Sequence, residues 1–169
     1  SGTTGAGRSS KVELSNSEIS GSLKSYKFGG VHQHTPEVEE VLAGVAGKEV
    51  KISFTPILAP MPRGILATVT ATLTKQTSLA HLRTQCEKFY AHTEFVTLLP
   101  EGQMPKTAST LGSNSALLQV AIDEHTNRIV ISSAIDNLGK GAAAQAIHNA
   151  NLMCGFAAHA GLNGNGLGA

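Results

Sequence analysis

Ala116-Leu117-Leu118-Gln119-Val120-Ala121-Ile122, followed by Asp123-Glu124-His125-Thr126-Asn127 and then Arg128-Ile129-Val130-Ile131-Ser132-Ser133-Ala134-Ile135, is the stretch that decides the fold. Two runs rich in aliphatic and β-branched residues flank five polar ones, and so short a connection predicts an antiparallel hairpin with His125 in solvent at its tip. Working backwards, Gly64 to Leu73 alternates as a strand, with Ile65, Ala67, Val69, Ala71 and Leu73 on one face and Leu66, Thr68, Thr70 and Thr72 on the other. Val50 to Leu58 reads as a further strand in which Pro56 demands an edge, a bulge or an end, and Phe95 to Leu99 as a short one turned by Pro100-Glu101-Gly102. Helices are expected from Thr35 to about Ala46, stopped by Gly47, from a Ser78 cap to Tyr90, and from about Gly139 to Cys154 with Gly155 after it. Strands and helices follow no regular βαβ alternation. The expected class is therefore α+β, a mixed, largely antiparallel sheet with helices on one face.

A length of 169 residues fits a single domain with a sizeable core. Thirteen Lys and Arg against twelve Asp and Glu, with no basic run, disfavour nucleic acid or an anionic membrane surface as partner. No apolar run approaches the roughly 20 residues of a membrane span, so a soluble, cytoplasmic protein is expected. Cys86 and Cys154 lie far apart, outside any CxxC or zinc spacing, which suits a reducing compartment. Cys86 falls in the stripe Leu79, Leu82, Cys86, Phe89, where buried packing is expected rather than a reactive thiol. The threonine-rich face of Gly64 to Leu73 suits water or a second subunit, and a homodimer through this strand and the hairpin is expected. The glycine-rich end, Gly161 to Ala169, reads as frayed.

The candidate chemistry lies in Phe28-Gly29-Gly30-Val31-His32-Gln33-His34-Thr35-Pro36-Glu37. Thr35 reads as an N-cap and Pro36 as the first helical residue, and Val38, Val41, Leu42 and Val45 then mark one face of the helix as buried. Two imidazoles and the Glu37 carboxylate sit at the positive end of that helix. His32 and His34 without a third ligand at metal spacing make a weak metal signal, so no metal is expected. They read either as polar loop residues or, one of them, as a general acid/base tuned by Glu37 or by the helix terminus. Arg63, between a proline turn and a strand, is either a surface cation or a fork for a carboxylate or phosphate. Ser1 to Ser10, with Gly2, Gly5 and Gly7, resembles a dinucleotide loop only superficially, because no strand precedes it, and on spacing it reads as a mobile terminus. No Ser-His-Asp order, P-loop or activated cysteine can be assembled.

Several stretches together, in order and over nearly the whole chain, resemble N-acetyl-gamma-glutamyl-phosphate reductase. They are Ser1-Gly2-Thr3-Thr4-Gly5-Ala6-Gly7-Arg8, Gly30 to Glu37, Phe54-Thr55-Pro56 with Pro62-Arg63-Gly64-Ile65-Leu66-Ala67-Thr68, Leu98 to Gly102, and Ala134-Ile135-Asp136-Asn137-Leu138 with Lys140-Gly141-Ala142-Ala143. The match is to that family's catalytic and dimerisation half, similar in fold to the C-terminal domains of aspartate-semialdehyde and glyceraldehyde-3-phosphate dehydrogenases. The resemblance implies an NADP-binding domain and a cysteine in a Pro-Gly-Cys-Tyr-Pro setting, neither of them in these residues. The implied reaction is NADPH-dependent reduction of an acyl phosphate to N-acetylglutamate semialdehyde in arginine biosynthesis, which the isolated chain is expected not to perform. It also implies His34 as the acid/base with His32 as the alternative, Glu37 as orienter or substrate contact, and Arg63 as a ligand of the substrate's anionic groups. Ser1, Gly2, Thr4, Gly5 and Asn137 would approach the nicotinamide side of NADP. The competing class is a non-catalytic oligomerisation or ligand-binding module on the same scaffold. An aspartate-semialdehyde dehydrogenase fits the His-x-His-Thr-Pro-Glu segment poorly. Gly139, Ala144 and His148 depart from the family's expected branched residue, glycine and glutamine, and Gly139 is expected to loosen the first turn of the last helix.

Overall fold

The computed structural model describes residues 1–7, 9 and 11–167, with only the backbone of Asn16. Arg8, within the first matching stretch, Ser10, and Gly168-Ala169 at the end of the tail expected to fray lie outside the described residues. The chain forms two compact units, Ser1–Met61 and Pro62–Ala169.

In the first unit a 3-10 turn, Thr3–Ala6, is tied down by backbone bonds from Thr3 N–H to Met61 O (2.8 Å) and from Ala59 N–H to Ser1 O (2.8 Å). The mobile terminus expected from spacing is thereby corrected: the turn answers the hydrogen-bonding groups of the 59–61 segment. After a second 3-10 turn, Val12–Leu14, and a one-turn helix α1 (Asn16–Ile19), strand β1 (Lys24–Ser25) pairs antiparallel with β2 (Ile57–Leu58). The strand expected over Val50 to Leu58 is reduced to these last two residues. Residues 51–58 do alternate in burial, but Ile52 N–H goes to the Glu39 carboxylate (3.0 Å), and among the described residues no neighbouring strand supplies a ladder before Pro56.

Helix α2 spans His34–Ala46 and ends as expected at Gly47, whose φ of 65° and N–H bond to Ala43 O (2.9 Å) form a left-handed cap. Its apolar stripe contradicts the expectation of burial. Val41 is 67% and Val45 85% exposed, with Val38 and Leu42 also exposed. The spacing marks a face that needs a counter-surface, but the residues folded around α2 in Ser1–Met61 do not provide one.

The second unit is built on a four-stranded sheet in the order β3-β6-β5-β4, with β3 (Ile65–Thr72), β4 (Val96–Leu98), β5 (Ala116–Asp123) and β6 (Arg128–Ile135). β5 and β6 form the expected hairpin, Ala116 opposite Ile135 and Asp123 opposite Arg128. Asp123 closes its turn by accepting from His125 N–H (3.1 Å) and the Thr126 hydroxyl (2.6 Å). β3 adds antiparallel to β6, and β4 runs parallel to β5, so the sheet is mixed. Ser78 caps α3 (Leu79–Tyr90) by accepting from His81 N–H, and α3 lies against β4 and β5. Cys86 is half-buried rather than buried, and Phe89 is exposed. The anchor of α3 is instead Arg83, which donates to the Gln119 side chain and to Leu99 O, each at 2.7 Å.

The last helix starts as a π-turn, Gly139–Ala143, and continues as α4 (Ala144–Met153). Gly139 does not loosen this start. A Cβ there would overlap the carbonyl oxygen of Ser113, so glycine permits a close backbone approach. Gly155, at φ 73°, closes α4, with Phe156 N–H on Asn151 O (2.8 Å). The glycine-rich tail is corrected as well: Asn163 O accepts from Asn114 N–H and Leu167 N–H reaches Leu111 O, both at 2.8 Å. Ala116, Val120 and Ala134 form the apolar centre of this unit, beside fully buried Thr110, Ser113, Asn114 and Asp136. Among the described residues no helix is long and apolar enough to cross a membrane.

Candidate functional site

The histidine segment is shaped by its backbone. Gly29 and Gly30 adopt φ of 85° and 81°, a conformation that would strain any other residue, and turn the chain into α2. The helix then begins one residue earlier than Thr35. Gln33 stands at the N-cap without a side-chain bond, and His32 before it satisfies the first N–H groups: its Nδ1 accepts from His34 N–H (3.1 Å) and its carbonyl from Thr35 N–H (3.0 Å). This corrects the expectation of Thr35 as N-cap. Thr35 lies buried inside the first turn, and Pro36 occupies the third helical position, where its missing N–H is equally harmless.

His32 is 7% exposed, its ring edge-on to those of Tyr26, Phe54 and His34 at 5.7, 5.1 and 4.8 Å between centroids. Burial, then the neighbouring His34 and Lys27, push its pKa down, with Glu37 opposing weakly. A neutral ring whose Nδ1 accepts carries its proton on Nε2. His34, by contrast, is exposed on the first turn, with Glu37 exposed three residues on. The two histidines, of which the resemblance puts His34 first and His32 second as acid/base, differ in setting: His32 is buried against the helix start, and His34 is exposed. In the same unit Gly2 is buried, whereas Thr4 and Gly5 stand exposed on the opening turn beside half-buried Ser1.

In the second unit Arg63 and Asn137 are neighbours around the start of β3. Asn137 is 7% exposed and its Oδ1 accepts from Gly64 N–H (2.7 Å). Arg63 is gripped side-on by Asp136, Nε to Oδ1 at 3.1 Å and Nη2 to Oδ2 at 2.5 Å. Asp136 has no exposed surface and also accepts from Gly112 N–H (2.6 Å) and Leu138 N–H (2.9 Å). Burial alone would raise its pKa. The N–H groups of Gly112 and Leu138, the Arg63 guanidinium and the Gly139 N–H outweigh it and hold the carboxyl below its usual value. Asp136 was missed as a site residue, although it lies inside a quoted motif; a carboxylate at the end of a strand, directly before the helix start, was the available signal. Among the described residues no group of three or more His, Cys, Asp or Glu is placed to hold a metal. The Cys86 thiol is pushed up, chiefly by burial, which disfavours a thiolate.

The fold is an α+β domain of the kind found in semialdehyde dehydrogenases. The solved aspartate semialdehyde dehydrogenase II of Vibrio cholerae superposes with a TM-score of 0.66 at 16% identity, over 86% of this chain and 45% of that one. A probable aspartate-semialdehyde dehydrogenase of Pseudomonas aeruginosa gives 0.64 at 20% identity, over 80% and 42%. The chain belongs to the family described as semialdehyde dehydrogenase, dimerisation domain, whose model matches residues 1–137. Among curated relatives, the N-acetyl-gamma-glutamyl-phosphate reductases of Acidothermus cellulolyticus and Arthrobacter sp. are 54% and 51% identical to it over 99% of its length. The chain spans about half the length of these relatives, 49% in both cases.

Proposed function

We propose that this chain is the catalytic and dimerisation part of a longer, cytoplasmic, NADPH-dependent reductase that converts N-acetyl-gamma-glutamyl phosphate to N-acetylglutamate semialdehyde. Identity of 51% and 54% over 99% of this chain to reductases of that name supports the substrate. The observation that carries the mechanism is the division of labour at the start of α2: His32 is committed to the first N–H groups of the helix, and exposed His34 presents its imidazole beside a helix N-terminus. Loss of phosphate and gain of a hydride at the acyl carbon require a group that holds and delivers a proton, and His34 fills that role. Glu37, on the same turn, orients the imidazole or contacts substrate, and Arg63 receives an anionic group of the substrate. The nucleophilic cysteine belongs to the remainder of the longer chain, because Cys86 and Cys154 lie between Gln and Glu and between Met and Gly. So does the bulk of the NADP site. NADPH supplies the hydride when bound, and Ser1, Gly2, Thr4, Gly5 and Asn137, which lie in stretches that resemble the family, are the residues assigned to its nicotinamide end. The homodimer forms through the sheet.

The test is His34→Gln and His32→Gln in the full-length reductase, with the isolated chain as inactive control. His34→Gln should lower kcat by about 10²–10⁴-fold. His32→Gln, which keeps an acceptor, should cost far less. Unchanged rates for both would remove the acid/base from this segment.

A further inference from the structure

We infer that Asp136 is the positioning residue that makes Arg63 an anion receptor of fixed orientation, an inference that rests on the reading of Arg63 as a substrate ligand. A guanidinium carries five N–H donors. Two of them, on Nε and Nη2, point at Asp136. The opposite edge, formed by Nη1 and the second Nη2 hydrogen, keeps the paired spacing that matches a carboxylate or phosphate, and the side chain retains 34% of its exposure. Arg63 can therefore be held from one side and bind from the other.

The carboxylate is itself immobilised. Oδ1 accepts from Arg63 and Leu138, and Oδ2 from Arg63 and Gly112, so each oxygen is shared between the arginine and a backbone N–H. Three chain segments, the 62–64 turn, the 111–113 loop and the entry to the π-turn, meet at one side chain with no exposed surface. A carboxylate needed only to neutralise a surface arginine would not be buried and shared with two backbone donors. Asparagine at this position keeps the shape but, in either flip, turns an NH2 group towards both an Arg63 N–H and a backbone N–H, and the side-on grip fails.

In the full-length reductase, Asp136→Asn should raise KM for the acyl phosphate on the order of tenfold, with kcat and KM for NADPH little changed. On an Arg63→Ala background the same change should add nothing to that KM, as expected of a residue acting through another. If Arg63→Ala raises KM and Asp136→Asn does not, Arg63 binds without its holder, and the inference fails while the substrate reading stands. If Arg63→Ala leaves KM untouched, both fail. An equal rise in both Michaelis constants would mark general distortion and also overturn the inference. Should Asp136→Asn not fold, Arg63→Lys decides: it keeps the charge but cannot be gripped side-on, so it should resemble Arg63→Ala, and wild-type KM would count against orientation.

Discussion

At the scale of the residue, His32 shows how burial commits an imidazole to the start of a helix. Its ring accepts from the first turn of α2 and packs against Tyr26 and Phe54, and both duties need the neutral form. Because its folded-state pKa is lowered, the stability it contributes is complete above the unfolded value of about 6.5. That contribution declines as pH falls below this value and is gone once pH passes the folded-state pKa. Unfolding midpoints of wild type and His32→Gln should accordingly converge as pH drops from 7 towards 5, the wild type losing more; parallel curves would refute the account. The sequence showed two histidines and a helix start, but not which histidine did what. Capping preferences point to Thr35 because its hydroxyl is the commoner acceptor, whereas the ring of His32 reaches the N–H of His34 only after the diglycine has turned the chain. Asp136 stayed hidden for a related reason: its partners Arg63 and Gly112 are remote in sequence, and local spacing carries no trace of them.

At the scale of the element, boundaries set by local turn chemistry were legible. The hairpin of β5 and β6, the Ser78-capped helix and the stops at Gly47 and Gly155 all follow from residues next to the element they bound. What failed were inferences about partners. Alternation over 50–58 correctly gave an extended segment but could not tell that most of it lacks a neighbouring strand, and the stripe on α2 gave an apolar face without its cover. Gly139 is the converse case, a residue that looks permissive locally and is demanded by a distant carbonyl. Gly139→Val should destabilise the fold by about 1–3 kcal/mol, because the added carbons can enter only by moving Ser113 or the π-turn. Chemical denaturation measures this, and a change within a few tenths of a kcal/mol would show that the turn yields freely.

At the scale of the whole molecule, β3 is the edge of the sheet, and Leu66 (52% exposed), Val69 (54%) and the threonines Thr68, Thr70 and Thr72 lie open along it. Apolar residues left exposed on a sheet are an ordinary mark of an association surface. If the proposed dimer uses the face that carries Leu66 and the threonines, Leu66→Lys should shift the full-length protein towards monomer in light scattering. A wild type that stays monomeric at high concentration would refute the dimer, and a Leu66→Lys dimer of unaltered stability would move the interface elsewhere. The fold class was readable at this scale because strand order and connection lengths leave few topologies. The polar interior of the second unit was not, since composition counts Thr110, Ser113 and Asn114 as surface residues although they are buried.

The glycine-rich tail has a practical consequence for anyone handling the protein. Asn163 and Leu167 clasp the 111–114 loop, and Ser115 Oγ bonds Gly164 O in the same stretch. Gly112, inside that loop, donates to Asp136, which grips Arg63. Proteolytic trimming near Gly161 would release the loop while leaving every strand and helix intact. On the proposed role of Arg63, the clipped protein would look folded by circular dichroism yet lose the fixed orientation of that guanidinium, so an intact-mass check of the C-terminus belongs before any measurement on Arg63 or the 111–114 loop.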